Sequence, residues 1–599
     1  MHASAISERI GQLQKVMQAK GIAAAIFTAT DPHFSGYPHA HWRALQWLSG
    51  FDGSSGILVV TETAACLWTD SRYWIQAERQ LQETGISPMQ IEGGNTLSFA
   101  QWVVENIPAG KTVALNGQVT GLENARRLEK LLSQATLKLR TDYDLISEIW
   151  TDRPQLPENA VYEHDARFTA LVRAEKLSAL REKMSELDVN WHFISALDDI
   201  AWLLNLRGSD LPYSPLFISH MLVGMNEVRL FIDEAKIPDM LRERLSADGI
   251  SLRPYKKASS ALAELSAGSK VLIDPQRITV GMLEAKSENI AVVEGISPSV
   301  LMKSRKAQPE IEHIRETMEK DGAALCEFFS WVESALSDKE LLTEVGIADK
   351  LDAFRMEKEG YVSSSFSVIA GFGANSALPH YRATSEEYAV IEGQGLLLVD
   401  SGAQYLGGTT DVTRVISIGE PTDAQRYDFT VVLKGLIALS SGRFPRSVRA
   451  GMLDALARSP LWNRGLNYGH GTGHGVGYFL NVHEGPQSIS YHALADEHTV
   501  MEEGMVTSIE PAVYRPGLLG IRIENLAVCC KVEETEFGEF LGFETLTLVP
   551  IDTRLIDRSL LLQSEIDWVN QYHACVRKRL ESHLTGRAKD WLIERTQAL

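Results

Sequence analysis

The sequence has few cysteines for its length and no long apolar run. Five cysteines are scattered over 599 residues, and this small, odd number predicts no disulfide framework. A reducing compartment suits such a chain, so we expect a cytoplasmic protein. No apolar stretch reaches the ~20 residues that a helix needs to span a bilayer. Residues 21–27 are apolar, but the segment before them is typical of an amphipathic helix and not of a signal peptide.

Positive charge is also scarce. The chain has 58 basic and 78 acidic residues, which gives a net charge of -20. A nucleic-acid-binding protein needs a basic face that displaces the counterions of the phosphates, and a polybasic membrane contact needs clustered lysine and arginine. We therefore expect no nucleic-acid partner and no membrane partner.

The first 300 residues contain two copies of one pattern. Both copies pass through four residues at steps of four, five and nine: Leu13, Met17, Ile22 and Asp31, then Leu180, Met184, Val189 and Asp198. Each copy leads from a segment of helical period into an apolar strand. The repeat predicts two related α/β domains.

Two proline-containing linkers divide the chain. Residues 151–170 contain Pro154 and Pro157, and a second break lies near residues 296–309. Pro309 then opens a predicted helical region that extends to about residue 359. The predicted domains are 1–155, 156–300 and 301–599.

Four acids lie at the ends of predicted strands in the last domain. Asp400 ends the run GLLLVD, and Asp411 opens DVTRVISI. Glu510 ends the run MVTSIEP, and Glu524 lies in the predicted strand IRIENLAV, two residues after Arg522 and on the same face. Hairpins would therefore present these acids in pairs.

Acids that converge in one pocket repel one another. A like-charge pair ~4 Å apart costs about 1 kcal/mol in water and about 4 kcal/mol at an effective dielectric constant near 20. Two divalent cations would remove this cost, and four carboxylates with one imidazole favour Mn²⁺ or a similar ion over a thiolate zinc site. The histidines His470 and His474 lie between the acid pairs, in HGTGHGVG. The residues alone thus predict an acid-and-histidine site, although each acid or histidine by itself is also typical of a turn, an ion pair or a loop.

Taken together, these motifs resemble the metallopeptidase family with the pita-bread fold, which includes methionine aminopeptidase, prolidase and aminopeptidase P. The five metal ligands of that family match, in order, Asp400, Asp411, His474, Glu510 and Glu524. The resemblance implies that Asp411 and Glu524 bridge two metal ions, most simply Mn²⁺. It also implies that Asp400 completes one metal site, and that His474 and Glu510 complete the other.

Longer phrases resemble the long, three-domain, cytosolic aminopeptidases P of that family. SGFDGSSG, WTDSRYWIQA and LDDIAWLLNLRGSD lie in the first 300 residues, and DSGAQYLGGTTDVTR, HGTGHGVGYFLNVHEGP and GIRIENL in the last domain. This resemblance implies an α/β (α+β) chain in which two related creatinase-type N-terminal α/β domains precede a C-terminal pita-bread domain. It also implies a homodimer, because Trp462 occupies a position that the family uses at its dimer interface. One departure is Ala512, where the family more often has glycine.

The activity implied by the resemblance is release of the N-terminal residue from peptides with proline in second position. In this hypothesis, a hydroxide that bridges the two metal ions attacks the scissile carbonyl, and Glu510 accepts its proton. His380 and His483 would polarise the carbonyl, as catalytic residues together with His470 and Glu510. By the same resemblance, the residues that contact the substrate are His380, His470, His483, Tyr514 and Arg522.

Three alternatives remain at this point. A prolidase would cleave Xaa-Pro dipeptides with the same chemistry, but such enzymes generally have two domains. A creatinase would share the fold without the metal, and it does not keep the ligand positions that are intact here. A non-catalytic pita-bread module would only bind its partner, and the complete ligand set with three accessory histidines disfavours that function.

Overall fold

The computed structural model describes residues 3–92, 95–493 and 496–599. The chain forms two compact units. One, called here the N-terminal unit, comprises Met1–His164 and Leu171–Val300, and the other, the C-terminal unit, comprises Asp165–Ala170 and Leu301–Leu599. In the described ranges no helix combines the length and the apolar character needed to cross a membrane.

The N-terminal unit contains two successive α/β segments. The elements of the first are α1 Ala3–Ala19, β1 Ile22–Thr28, α2 Ala44–Ser49, β2 Ile57–Thr61, β3 Ala65–Thr69, α3 Trp74–Gln80, β4 Ser87–Gln90, α4 Ser98–Asn106, β5 Thr112–Leu115, α5 Leu122–Gln134 and β6 Lys138–Arg140. Those of the second are β7 Tyr162–Glu163, α6 Arg173–Glu186, β8 Trp191–Ile194, α7 Leu197–Leu204, β9 Leu206–Arg207, β10 His220–Gly224, β11 Val228–Phe231, α8 Asp239–Ala247, β12 Ile250–Arg253, β13 Lys270–Ile273, α9 Val280–Glu284 and β14 Ala291–Glu294, and α10 Pro298–Ser304 leads out of the unit.

The two segments have the same sheet topology. The strand orders are β4-β3-β2-β1-β5-β6 and β12-β11-β10-β8-β13-β14. In both sheets the central strand, β1 or β8, pairs antiparallel on one side and parallel on the other. The helix before each central strand places leucine and methionine four residues apart on its buried face, where Leu13, Met17, Leu180 and Met184 are each 0% exposed. The predicted pair of related domains is confirmed.

The C-terminal unit begins with two helices and continues mainly as strands. Its elements are α11 Gln308–Ser337, α12 Glu344–Met356, β15 Tyr361–Ser364, β16 Ile369–Phe372, β17 Gly395–Ser401, β18 Ala403–Tyr405, β19 Gly408–Thr409, β20 Val412–Ile418, α13 Asp423–Ser440, β21 Phe444–Pro445, α14 Ala450–Trp462, β22 Gly473–Gly475, β23 Glu484–Ile489, β24 Val506–Ile509, β25 Ala512–Arg515, β26 Leu519–Arg522, β27 Asn525–Thr535, β28 Gly538–Thr545, α15 Gln563–Leu580 and α16 Gly586–Arg595.

The strands of two sheets in this unit contain or flank the five predicted metal ligands. One has the order β16-β17-β20 and the other β21-β28-β27-β24-β22-β23. The backbone N–H of Glu524 donates to the carbonyl of Thr413, at 3.1 Å, and joins the ends of the two sheets. A continuous apolar core, in which α11, α13 and α14 cover the strands, supports both.

The structure refines two local predictions. The helical region predicted up to residue 359 is interrupted after α11, because Lys339 has a φ of 58° and the Thr343 side chain caps a new helix by accepting from the N–H of Gly346 at 3.0 Å. The predicted strand through Glu524 is also interrupted, since β26 ends at Arg522 and β27 begins at Asn525. Glu524 therefore lies between two strands.

Candidate metal centre

The first pair of acids lies on the β17–β20 hairpin. Asp400 is the next-to-last residue of β17, and Asp411 immediately precedes β20. The antiparallel register places Asp400 opposite Thr413. Both carboxylates therefore lie at one end of adjacent strands, as the alternating pattern predicts, and both residues are buried, with 8% and 5% of their surface exposed.

The second group comes from the larger sheet. His474 lies at the centre of β22, Glu510 follows β24 and Glu524 precedes β27. Because β24 pairs with both β22 and β27, these three residues meet at one end of the sheet.

The two groups converge on one another. Side-chain ligand atoms of Asp411, His474 and Glu524 all lie within 4.8 Å of one another. His474 Nε2 is 3.5 Å from a carboxylate oxygen of Asp411 and 3.6 Å from one of Glu510. The structure thus brings acids from four separate segments and one imidazole into a single pocket.

Three largely buried carboxylates of this pocket lie close to one another. Burial raises the pKa of Asp411 well above its ordinary value, and the nearby carboxylates of Asp400 and Glu510 raise it further. Burial likewise raises the pKa of Glu524 well above its ordinary value, with Asp411 as the strongest charged neighbour. Burial also raises the pKa of Glu510. Additional positive charge in the pocket would therefore favour the anionic forms of these three carboxylates.

Asp400 has a different environment, because it pairs with the buried guanidinium of Arg522. Arg522 also donates to the hydroxyl of Tyr514, at 2.5 Å, and that hydroxyl lies 2.9 Å from Nε2 of His470. Burial raises the pKa of Tyr514 to about 12, so the phenol is neutral. One connected network thus links Asp400 to His470.

The residues fit a pair of divalent cations. The second carboxylate oxygen of Asp400, Oδ1, is buried and accepts no hydrogen bond, although a buried carboxylate oxygen normally has a partner. His474 Nδ1 lies 2.9 Å from the carbonyl of Gly475, to which it donates, so the lone pair of Nε2 faces the acids. A metal-binding histidine is typically oriented in this way.

The accessory histidines lie around this pocket. The ring of His483 contacts that of His474 edge-on, with centroids 4.3 Å apart. His470 Nδ1 lies 3.9 Å from Glu510. His380 lies in the segment between β16 and β17, next to Pro379, whose carbonyl accepts from Arg522 at 3.4 Å.

Two hydroxyl groups were missed by sequence reasoning. Thr413 accepts from Arg522 at 3.1 Å and donates to Glu524 at 2.8 Å. Ser508 accepts from the backbone N–H of His474 at 3.0 Å and donates to Glu510 at 3.2 Å. Each hydroxyl lies on a strand, two residues from an acid that flanks the strand, and this spacing is the signal that could have identified it.

Comparison with known protein families places the conserved domains along the chain. The model of metallopeptidase family M24 matches residues 312–530, and that of the C-terminal region of the same peptidase matches residues 539–599. Two models of a creatinase/prolidase N-terminal domain match residues 9–142 and 152–310.

Similar proteins cover nearly the whole chain. Aminopeptidase P2 of Arabidopsis thaliana is 36% identical over 632 residues, covering 99% of this chain and 89% of that protein. Xaa-Pro aminopeptidase 1 of Dictyostelium discoideum is 36% identical over 615 residues, covering 99% and 97%.

Solved structures agree with these relatives. The X-prolyl aminopeptidase of Caenorhabditis elegans, described as a cytosolic enzyme with a di-nuclear active site, matches with a TM-score of 0.93 and 34% identity over 100% of both chains. An Xaa-Pro dipeptidase of Bacillus anthracis covers 63% of this chain with a TM-score of 0.51 and 24% identity, and shares the fold alone. The resemblance stated from the motifs is confirmed. This chain belongs to metallopeptidase family M24 and, within it, to the Xaa-Pro aminopeptidases.

Proposed function

We propose that this protein is a dinuclear metal-dependent aminopeptidase that releases the N-terminal residue from peptides with proline in second position. The convergence of Asp411, His474 and Glu524 within 4.8 Å, in a pocket of buried carboxylates without enough positive charge, is the observation that supports it most strongly. Full-length relatives named Xaa-Pro aminopeptidase support the choice of substrate.

The proposed metal ligands are Asp400, Asp411, His474, Glu510 and Glu524, and the proposed metal is Mn²⁺. Oxygen-rich ligand sets favour Mn²⁺ over softer ions. When bound, a metal pair supplies Lewis acidity toward the scissile carbonyl and lowers the pKa of water. Two observations support this assignment: Oδ1 of Asp400 is buried and accepts no hydrogen bond, and Nε2 of His474 faces the acids.

The chain's own residues would then divide the remaining work. Glu510, whose carboxylate lies 3.6 Å from His474 in the pocket, would accept a proton from the attacking water and return one to the leaving nitrogen. His380 and His483 would donate to the carbonyl oxygen as negative charge develops there. Asp400, held by Arg522, would bind the α-amine of the substrate, so that cleavage is counted from the N-terminus.

On the other side of the scissile bond the pocket must accept proline. Proline makes that bond a tertiary amide, which has no N–H, and fixes its own φ. We propose that His470, Tyr514 and Arg522, which form one hydrogen-bonded network, shape this side of the pocket.

The proposal also includes the compartment, the assembly and the domain division of the enzyme. We propose cytoplasmic peptides as substrates and a homodimer as the assembly, with Trp462, 46% exposed at the end of α14, at its interface. The three-domain division at residues 155 and 300 is part of the same proposal, and the two sheets of identical topology support it.

Substrate length and second residue test this function. We expect kcat/KM for Arg-Pro-Pro to exceed that for Arg-Pro, and Arg-Ala-Pro to be cleaved hardly at all, because a pocket shaped for the rigid ring loses its apolar contacts with alanine. A faster reaction with the dipeptide would make the protein a prolidase. Equal rates for the proline and alanine tripeptides would refute the specificity.

A further inference from the structure

Outside the metal pocket, one buried carboxylate organises a long segment. Glu344, the first residue of α12, is 0% exposed. Its two oxygens accept from the backbone N–H groups of Phe372 and Ala389, each at 2.6 Å. They also accept from the hydroxyl of Tyr381 at 2.8 Å and from the side-chain amide of Asn375 at 3.2 and 3.1 Å. A single side chain therefore joins both ends of residues 372–389 and two points within them.

This segment contains His380, and it also contacts a strand whose Arg522 pairs with Asp400 of the site. The hydroxyl of Ser376 accepts from the N–H of Gly520 at 2.7 Å, and the carbonyl of Pro379 accepts from Arg522 at 3.4 Å. Strand β26, which contains Gly520 and Arg522, thus contacts the same segment as Glu344. His380 lies between these two sets of contacts, directly before Tyr381.

The contact with β26 is too close for any side chain. A Cβ atom at Gly520 would lie 1.8 Å from the carbonyl oxygen of Ser376, so only glycine allows this approach. The segment is therefore packed directly against the backbone of β26. Glu344 holds it at four further points, because a carboxylate that accepts several short hydrogen bonds is held strongly.

We propose that Glu344 is a positioning residue for His380. The proposal rests on the proposed function, in which His380 acts on the scissile carbonyl. The connection between β16 and β17 has no long helix or strand of its own, and such long connections in compact domains are usually functional. A histidine on such a connection needs a fixed backbone, since a displacement of about 1 Å can lower a rate about 10²-fold.

The test is a double-mutant cycle. Glu344→Gln keeps the size of the side chain but places an amide N–H₂ among donors. We expect it to lower kcat for Arg-Pro-Pro by about 10-fold or more, with a smaller change in KM and unchanged metal content. In a His380→Ala background the same substitution should change kcat by less than about 3-fold, because the group that it positions is gone.

Tyr381→Phe is a milder second variant, which removes only the hydroxyl next to His380. It should lower kcat by about 3- to 10-fold in the wild-type background and have almost no effect in the His380→Ala background. Glu565→Gln is the matched control, because Glu565 is also a glutamate in the first turn of a helix, α15. Its carboxylate pairs with Lys434 at 2.5 Å. The control substitution should leave kcat unchanged in both backgrounds.

Several results would overturn the proposal. Equal losses of kcat from Tyr381→Phe or Glu344→Gln with and without His380 would make Glu344 merely structural. No loss in the wild-type background, or a wild-type kcat in His380→Ala itself, would leave nothing to position. Wild-type protein that fails to cleave Arg-Pro-Pro would instead refute the proposed function, and this rate is measured first.

Discussion

Three buried histidines of the N-terminal unit and two predicted site histidines of the C-terminal unit have different surroundings. In the N-terminal unit His33, His192 and His220 are each at most 2% exposed. Their rings contact carbonyls and hydroxyls: His33 lies 2.8 Å from the carbonyl of Ser195, and His192 lies 3.0 Å from that of Leu272. Burial lowers the pKa of all three, so they are neutral at pH 7.

In the C-terminal unit the predicted site histidines face acids instead. His474 and His470 are partly exposed, and their ring nitrogens lie 3.5 to 3.9 Å from carboxylate oxygens. His573 of the same unit is fully buried and accepts from the N–H of Ile551 at 3.0 Å, like the histidines of the N-terminal unit. His470 and His474 thus differ from the buried histidines in being partly exposed and in facing the carboxylates of the pocket.

The sharpest test of this difference is removal of one acid from the pocket. Asp411→Asn keeps the size of the side chain and removes one proposed bridging charge. We expect bound metal to fall from about two per chain and kcat/KM to fall at least about 10³-fold, since several kcal/mol of stabilisation depend on the metal pair. Metal content by plasma mass spectrometry and initial rates with Arg-Pro-Pro measure both.

The exposed Asp423, in the first turn of α13, provides the control. Asp423→Asn should keep wild-type metal content and activity. An Asp411→Asn protein with full activity would contradict the dinuclear assignment.

A smaller effect is expected from the accessory histidines. His380→Ala and His483→Ala should each lower kcat about 10²-fold, because they remove donors to the developing negative charge. Metal content should remain near that of the wild type. If metal is lost together with activity, these histidines are ligands and His474 is not the only imidazole of the centre. The exposed His492 serves as the control, since His492→Ala should change neither quantity.

The smallest effect concerns the buried histidines and the stability of the N-terminal unit. Burial lowers the pKa of His192 from 6.5 to about 4. Below pH 6.5 the unfolded chain gains a proton that the native state does not accept until about pH 4. The free energy of unfolding should therefore fall as the pH falls through this interval, by up to about 3 kcal/mol from His192.

His192→Asn should reduce this loss, because asparagine is not protonated. Melting temperatures between pH 7 and pH 4 measure the difference. The exposed His492 is the control, and His492→Asn should leave the acid dependence unchanged. An identical acid dependence in His192→Asn and wild type would contradict the argument.

Much of the fold followed from sequence because the signals were local. Steps of four residues predicted that Leu13 and Leu180 each lie on the buried face of a helix. Apolar runs bounded by acids predicted the hairpin of Asp400 and Asp411. The proposed ligand set could be predicted for the same reason, since each of its residues lies inside a distinct short phrase.

The contacts that were not predicted join residues far apart in the sequence. Thr413 contacts Glu524 across 111 residues, and Glu344 contacts Tyr381 across 37. The two-residue spacing from Asp411 could mark Thr413 as a candidate, but it does not identify Glu524 as its partner. Glu344 has the local pattern of an ordinary first-turn helix residue. The break after α11 was missed because no proline or glycine marks it, and only the φ of Lys339 reveals it.

Metal titration of the metal-free protein tests the central claim most directly. Exhaustively chelated protein should not cleave Arg-Pro-Pro. Stepwise addition of Mn²⁺ should restore the rate up to a plateau at two equivalents per chain, with calorimetry giving the same stoichiometry. Full activity in the chelated protein would contradict the account. So would a rate that reaches its plateau while calorimetry detects no bound metal.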